Sequence, residues 1–424
     1  MALKGHPYPG AMRRVIVAVV LAALCTCSVA QASPYIRYGI QDDAWLSYGP
    51  GTLNDRLDRL DGLGVDVVRV TIDWREVEAR KGAGNWARYD TLLTGLHERG
   101  IAPLVTLWGT PSWANGGRGP NWAPTSKSTF AAFARRAALR YPYVHLWAIW
   151  NEPNQQRWLR PTSPRVYTQT LLNPAYAAIH AVSRGSQVAG GVTAPRGSSG
   201  GVSPVDWIRG MGAAHARLDA YAHNPYPLRP GETPTTGGCD HCTTITMATL
   251  DRLLTNVARS FGTGKRIWLT EYGYQTSPPD GLLGVSYAAQ ARFVSEGALR
   301  ALLAPGVDIL IHYLVRDEPE TARWQSGLLT ARDIAKPAYN AFRFPFAQRS
   351  RTGRHTVLTG QVRPGGQNDY RLLRFGGGRW NAVGGTSRTT ARGFFTRTVN
   401  AAAGTRFRIW IPAQHTYSAI VTVH

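Results

Sequence analysis

The sequence predicts an α/β protein, a (β/α)8 TIM barrel followed by a small C-terminal all-β sandwich. Three observations carry that prediction. Short apolar runs alternate with stretches of helical period from residue 35 to about residue 346, the pattern of a parallel sheet wrapped by helices. Eight such units occupy that span, the number and length a closed barrel needs. Beyond residue 347 the helical period vanishes, and short strand-like runs separated by Gly-rich turns replace it.

The elements follow in order. "YIRYGI" reads as the first strand, and "TLNDRLDRLDGLG" as a helix with Leu53, Leu57, Leu60 and Leu63 at helical spacing. "VDVVRVTIDW" is the second strand, followed by "NWARYDTLLTGLHERG", a helix ended by Gly100. "APLVTLWG" and the helix through "STFAAFARRAALRY" form the third unit; "VHLWAIWNE" and "PRVYTQTLLNPAYAAIHAVS" form the fourth. "QVAGGVTA", "LDAYAHN", "RIWLTEYG" and "DILIHYLVRD" supply strands five to eight, with helices around 203–213, 245–260 and 286–302, and "KPAYNAFRF" closes the series. A doubly wound open sheet would want a Gly-rich phosphate loop after its first strand, and "YGIQDDAWLSYGPG" is not one. The sandwich is read from "TVLTGQV", "YRLLRF", "RWNAVGG", "GFFTRTV", "RFRIWIP" and "SAIVTVH".

The expected organisation is therefore a signal peptide over residues 1–32, a barrel over 33–346 and a basic sandwich over 347–424. "MRRVIVAVVLAALCTCSVAQAS" has paired arginines, a short apolar run and Ala30-Gln31-Ala32 as a small-x-small cleavage site, so translation starting at Met12 and secretion into the extracellular space are expected. The apolar run is short for a bilayer span, and no stable membrane anchor is expected. Of the 48 basic residues only five are lysine, and residues 347–424 hold twelve arginines against one acid, Asp369. A module of that charge suits an anionic polymer such as an acidic exopolysaccharide or cell-wall polyanion. No recognition motif for nucleic acid accompanies the charge.

Removing the signal leaves Cys239 and Cys242, in the Gly-rich "GGCDHC". In a secreted chain a local disulfide is the expected reading. A metal would need ligands beyond two thiols, with Asp240 and His241 the near candidates, and no metal is expected.

Two strands end in glutamate. "HLWAIWNEPN" places Glu152 at the end of strand four, and "RIWLTEYGY" places Glu271 at the end of strand seven. A lone glutamate there would read as a salt-bridged strand end. In a closed barrel both strand ends open on the same face, so two carboxylates meet in one cleft. Glycoside hydrolysis needs such a pair, one to protonate the leaving oxygen and one to attack the anomeric carbon.

"WNEPN" after strand four and "LTEYGY" at strand seven resemble the clan A glycoside hydrolases, the retaining (β/α)8 enzymes, with the flavour of the cellulase-like family 5 and the xylosidase-like family 39. The resemblance covers about residues 35–346 and includes "VVRVTIDWREVEARKG" and "SGLLTARDIAKPAYNAF". It implies Glu152 as general acid/base and Glu271 as nucleophile, with Asn151 on the sugar 2-hydroxyl and Arg69 beside the nucleophile. It implies a polysaccharide or oligosaccharide substrate and no cofactor, since two carboxylates can carry the double displacement. In "AYAHNPYP" the match loosens: relatives often place a histidine and a tyrosine two apart, whereas His223 and Tyr226 are separated by one residue more. Tyr226 is the expected partner of the nucleophile, and His223 a sugar-binding or supporting group.

Other side chains are placed by position. Trp108, Trp113 and Trp122 follow strand three, Trp158 follows the acid/base, and Trp324 lies beyond strand eight, where rings stack on sugar faces or simply pack loops. His312 reads equally as a cleft residue or a satisfied core histidine. Long loops after strands three, four and six favour an endo-acting cleft. A barrel that binds glycans without cleaving them, and a transglycosylase, are the alternatives.

Overall fold

The computed structural model describes residues 36–239 and 242–424. The expected signal peptide, and Asp240 and His241, lie outside the described residues. Eight parallel strands close into a barrel in chain order: β1 (Arg37–Gln41), β2 (Val67–Asp73), β3 (Ala102–Trp108), β4 (Leu146–Ile149), β5 (Gln187–Thr193), β6 (Ala220–His223), β7 (Arg266–Tyr272) and β8 (Val307–Tyr313). β8 pairs with β1, so the sheet has no edge.

Alternation decides which residues fill the barrel. Val67, Leu104, Leu146, Ala148, Ala220, Ala222, Trp268, Ile309 and Ile311 belong to one inner cluster, while the residues between them join a larger layer packed against the helices. The small alanines of β4 to β6 leave room for the Trp268 indole, an alternation of large and small that small barrels need. Gly39 on β1 is fixed by the same crowding, because a Cβ there would meet the Ile311 side chain and the Val67 carbonyl.

The helices obey the leucine spacing. In the helix Leu53–Gly62, Leu57 and Leu60 are buried, and Thr52 with Asp55 forms a capping box at its start. Pro174 lies within the helical run 164–180, where its missing N–H is accommodated by a π-type segment, Tyr167–Leu172, just before it.

The C-terminal region contains two antiparallel sheets. β9 (Phe346–Thr352), β10 (His355–Gln361) and β14 (Phe394–Asn400) form one; β11 (Asp369–Gly376), β12 (Arg379–Ala382), β15 (Arg406–Ile411) and β16 (Thr416–Tyr417) form the other, with β13 (Ser387–Arg388) and β17 (Val421–Thr422) attached. β9 was not expected, because its "FAQRSRT" has little β character; it is an edge strand carried by pairing with β10. The two regions share a buried seam. Arg363 is 2% exposed, with its guanidinium 3.8 Å from the Tyr38 ring centroid of β1 and 4.9 Å from that of Phe342. Its Nε donates to Gln361 Oε1 at 2.9 Å, and Arg392 donates to the Ile36 carbonyl at 2.6 Å.

On the outer face of the larger sheet, cross-strand neighbours stack arginines on rings. The Arg408 guanidinium stands 4.3 Å from the Trp380 centroid and 3.7 Å from that of Tyr417, and Arg406 lies 3.9 Å from Phe375. Asp369, the one acid of this region, is paired with Arg388.

Candidate active site

The chemistry gathers at the C-terminal ends of the strands, as a barrel dictates. Glu271 is the penultimate residue of β7, where pairing with β8 slips between Leu269 and Tyr272. Its carboxylate is 8% exposed and meets Arg69, which rises from the middle of β2. Arg69 is fully buried, so each of its nitrogens needs an acceptor. Nε donates to Thr106 Oγ1 at 2.9 Å, Nη1 to Gln41 Oε1 at 2.7 Å and to Glu271 Oε1 at 2.5 Å, and Nη2 to Asn151 Oδ1 at 2.8 Å. The second oxygen of Glu271 accepts from the Tyr226 hydroxyl at 3.1 Å. Burial first, and the charge of Glu271 second, push the Tyr226 phenol well above its ordinary value, so it stays a donor.

Glu152 stands differently. β4 stops at Ile149, short of the glutamate, because Trp150 and Glu152 take left-handed backbone angles, φ +72° and +38°. Side chains with a Cβ adopt that region at a cost, and surrounding contacts must hold them there. The Trp150 indole donates to the Trp158 carbonyl at 2.7 Å. The Glu152 N–H donates at 2.9 Å to the carbonyl of Val192, which sits in a register shift of β5 with φ +47°. The carboxylate accepts one hydrogen bond, from Asn224 Nδ2 at 3.1 Å. Burial, then repulsion from Glu271, pushes Glu152 up to about 7, against the opposing pull of Asn224, Arg69 and Arg157. A carboxyl group of that kind keeps its proton near neutrality.

Asn224 was not singled out from the sequence, and it explains the loose match in "AYAHNPYP". Ala220 and Ala222 point into the barrel, and Asn224 and Tyr226 continue that side past the end of β6, reaching Glu152 and Glu271. The two-residue spacing is therefore kept by Asn224 and Tyr226. His223 falls on the other side, which fits the supporting alternative and not the sugar-binding one. It is fully buried, with Nδ1 2.8 Å from Thr193 Oγ1 and Nε2 3.1 Å from the Ile245 carbonyl, and burial lowers it to about 4. For His312 the same parity favours the core-histidine reading. Ile309 and Ile311 fill the barrel, so His312 turns to the helix layer, 3.1 Å from the Ser326 carbonyl and 6.0 Å from the Phe342 ring.

The tryptophans divide. Trp324, 37% exposed, stacks 4.9 Å from Tyr226 and lies 5.5 Å from Tyr313, making an aromatic wall beside Glu271. Tyr313, the last residue of β8, is a second member of this wall that the sequence reading passed over. Trp108 and Trp158 meet edge to face at 5.5 Å behind the Glu152 turn. Trp113 is a packing residue: its indole donates to the Glu78 carbonyl at 2.7 Å and it abuts Trp74. Trp122 lies under Arg118 at 4.4 Å.

The side chains of Cys239 and Cys242 interact without the expected disulfide between them. The Cys242 Sγ also lies 2.8 Å from Thr244 Oγ1 and 3.4 Å from the Cys239 carbonyl oxygen, in the loop before the helix Leu250–Phe261. Among the described residues no group of three or more His, Cys, Asp or Glu side chains is placed to hold a metal ion, and no helix is long and apolar enough to cross a membrane.

A cavity of about 290 Å³ opens over Glu152, Tyr226 and Trp324 and runs on between the loops after β4, β5 and β6. Solved structures share this architecture. A family 39 glycoside hydrolase from the gut symbiont Bacteroides cellulosilyticus WH2 aligns with a TM-score of 0.60 and 17% identity, covering 86% of this chain and 79% of that one. A monomeric beta-xylosidase from Caulobacter crescentus CB15 aligns at 0.58 and 14%, over 88% and 96%. A family 5 enzyme from Streptomyces cattleya, in complex with GlcNAc, aligns at 0.55 and 18%, over 74% and 79%. The likeness is one of fold. No family model matches the sequence, and no curated protein does.

Proposed function

We propose that the protein is a secreted, retaining glycoside hydrolase that cuts a polysaccharide or oligosaccharide by double displacement, with Glu271 as nucleophile and Glu152 as general acid/base. One observation carries the reading: two carboxylates share a cleft with unequal donors, a guanidinium and a phenol on Glu271, a single amide on Glu152. In the first step a Glu271 oxygen attacks the anomeric carbon while Glu152 gives its proton to the glycosidic oxygen, and the leaving sugar departs as an alcohol. In the second, Glu152 takes a proton from water, the water oxygen attacks the same carbon, and the ester to Glu271 breaks. Both carboxyl groups return to their starting states. Asn151, held by Arg69 at 2.8 Å, is the group proposed for the sugar 2-hydroxyl.

Endo-action is proposed from the length of the cavity, which extends from Glu152 across the loops after β4, β5, β6 and β7 as far as Trp324. Export is proposed from the N-terminal segment described above. The basic sandwich, with Arg406 and Arg408 stacked on rings, is proposed to contact an anionic cell-wall or exopolysaccharide. The test is reducing-end release over neutral and acidic glycans by the mature protein and by Glu271→Gln, with the first-formed anomer read by NMR. Release by the wild type alone, with the anomer retained, supports the proposal. Inverted product overturns the mechanism, and binding without release would make the barrel a glycan-binding protein.

A further inference from the structure

The cavity beside Glu152 carries more positive charge than glycosidic chemistry asks for. Three arginines line it from three separate loops: Arg157 after β4, Arg196 after β5 and Arg229 after β6. All three are exposed. None forms an ion pair among the described residues, whereas nearby barrel arginines are matched with acids, as Arg136 is with Glu78 and Arg316 with Asp333. Glu232, in the loop after β6, accepts from the Leu228 N–H at 3.2 Å rather than turning to Arg229. Arg157 is near enough to Glu152 for its charge to act on it, and lies 5.3 Å from the Trp158 ring centroid.

We propose that this cleft takes an acidic glycan, whose carboxylate or sulfate groups are seated on Arg157, Arg196 and Arg229. The inference rests on the glycosidase reading for the cleft being a substrate site. Two physical arguments support it. A guanidinium offers paired donors that match carboxylate and sulfate oxygens, and such charge-assisted bonds are the strong ones. A polyanion entering a cleft that holds Glu152 and Glu271 would also be repelled by Glu271, and cations spread along the approach offset that repulsion where a neutral sugar would need no offset. The stacked arginines of the sandwich do not belong to this site, since they line a different surface.

The experiment is calorimetric titration of full-length Glu271→Gln protein, which binds without turnover, with matched oligosaccharide sets: hexuronate-containing, sulfated and neutral glycans of equal length. The expected result is that at least one acidic glycan binds about tenfold or more tightly than its neutral match. Arg157→Gln/Arg196→Gln/Arg229→Gln, added together, should abolish that preference, while Arg406→Gln/Arg408→Gln should leave it in place. The carboxylate and sulfate arms name the anion. No preference for any acidic glycan overturns the inference, as does a preference that survives the cleft triple and disappears with the sandwich pair. Reducing-end release by the wild type is measured in parallel. Cleavage of neutral glycans without acidic preference leaves the glycosidase reading standing and removes only the inference; acidic preference in the cleft without release does the reverse.

Discussion

Glu271 and Glu152 face one cleft from different walls, and their surroundings share little. On the β7 wall each carboxylate oxygen has its own donor, and the cationic one, Arg69, is itself tied to β1, β3 and the β4 loop. On the β4 wall a single amide reaches the carboxyl group, and the backbone beneath is bent into left-handed angles. The first wall holds a charge still, and the second makes a charge uncomfortable. On the proposed mechanism, a cleft built in this way separates the roles of two chemically identical groups by environment alone.

The sharpest way to break that comparison is to remove the group itself. Glu271→Gln is expected to lower kcat by roughly 10⁴-fold or more with folding intact, measured by steady-state release. An equal effect of Glu271→Gln and Glu152→Gln on substrates with very acidic leaving groups would contradict the division, because such substrates need no proton from Glu152. Arg69→Leu leaves Glu271 buried without its cation, and denaturant melts should show a loss of about 3–5 kcal/mol. Tyr226→Phe keeps the ring and deletes one donor; kcat should fall by about 10²-fold with little change in stability.

Proton affinity provides a finer probe. The proposed mechanism needs Glu152 protonated, so kcat/KM should fall as pH rises through about 7. Asn224 donates to the charged form, and Asn224→Leu should therefore move that alkaline limb upward by roughly 0.5 to 1 in pH. A downward move would mean that the amide serves the neutral acid instead. The smallest effect belongs to His312→Phe: activity should change by about twofold or less, since the ring makes its contacts in the helix layer.

The barrel was legible because its strands are apolar runs and its helices keep leucines in phase, signals that survive without any tertiary knowledge. Glu152 and Glu271 were legible because a carboxylate ending an apolar strand is costly unless used. Parity was not legible. His223 and His312 sit next to inward-facing residues, and a one-residue step on a strand exchanges the two faces, so type and neighbourhood alone could not say which side they take. Asn224 was missed for the complementary reason: its neutral side chain stood beside a histidine that drew attention. The cleft arginines were missed because an exposed arginine in a loop carries no pattern; only the fold brings Arg157, Arg196 and Arg229 to one cavity. β9 was missed because pairing, not composition, makes it a strand.

Arg363 bears on how this chain can be divided. Accessory modules that move freely between enzymes hang on linkers and leave their hosts unmarked. Here the helix Pro337–Arg343 passes into β9 at Phe346 with almost no slack, and a cation from beyond that point lies flat on a ring of the first barrel strand. Cutting the chain at 346 would strip Tyr38 and Phe342 of their cover and leave a wet apolar scar on the barrel's flank. The sandwich is grafted rather than tethered, and a lineage could trade it for another only by rewriting β1 as well.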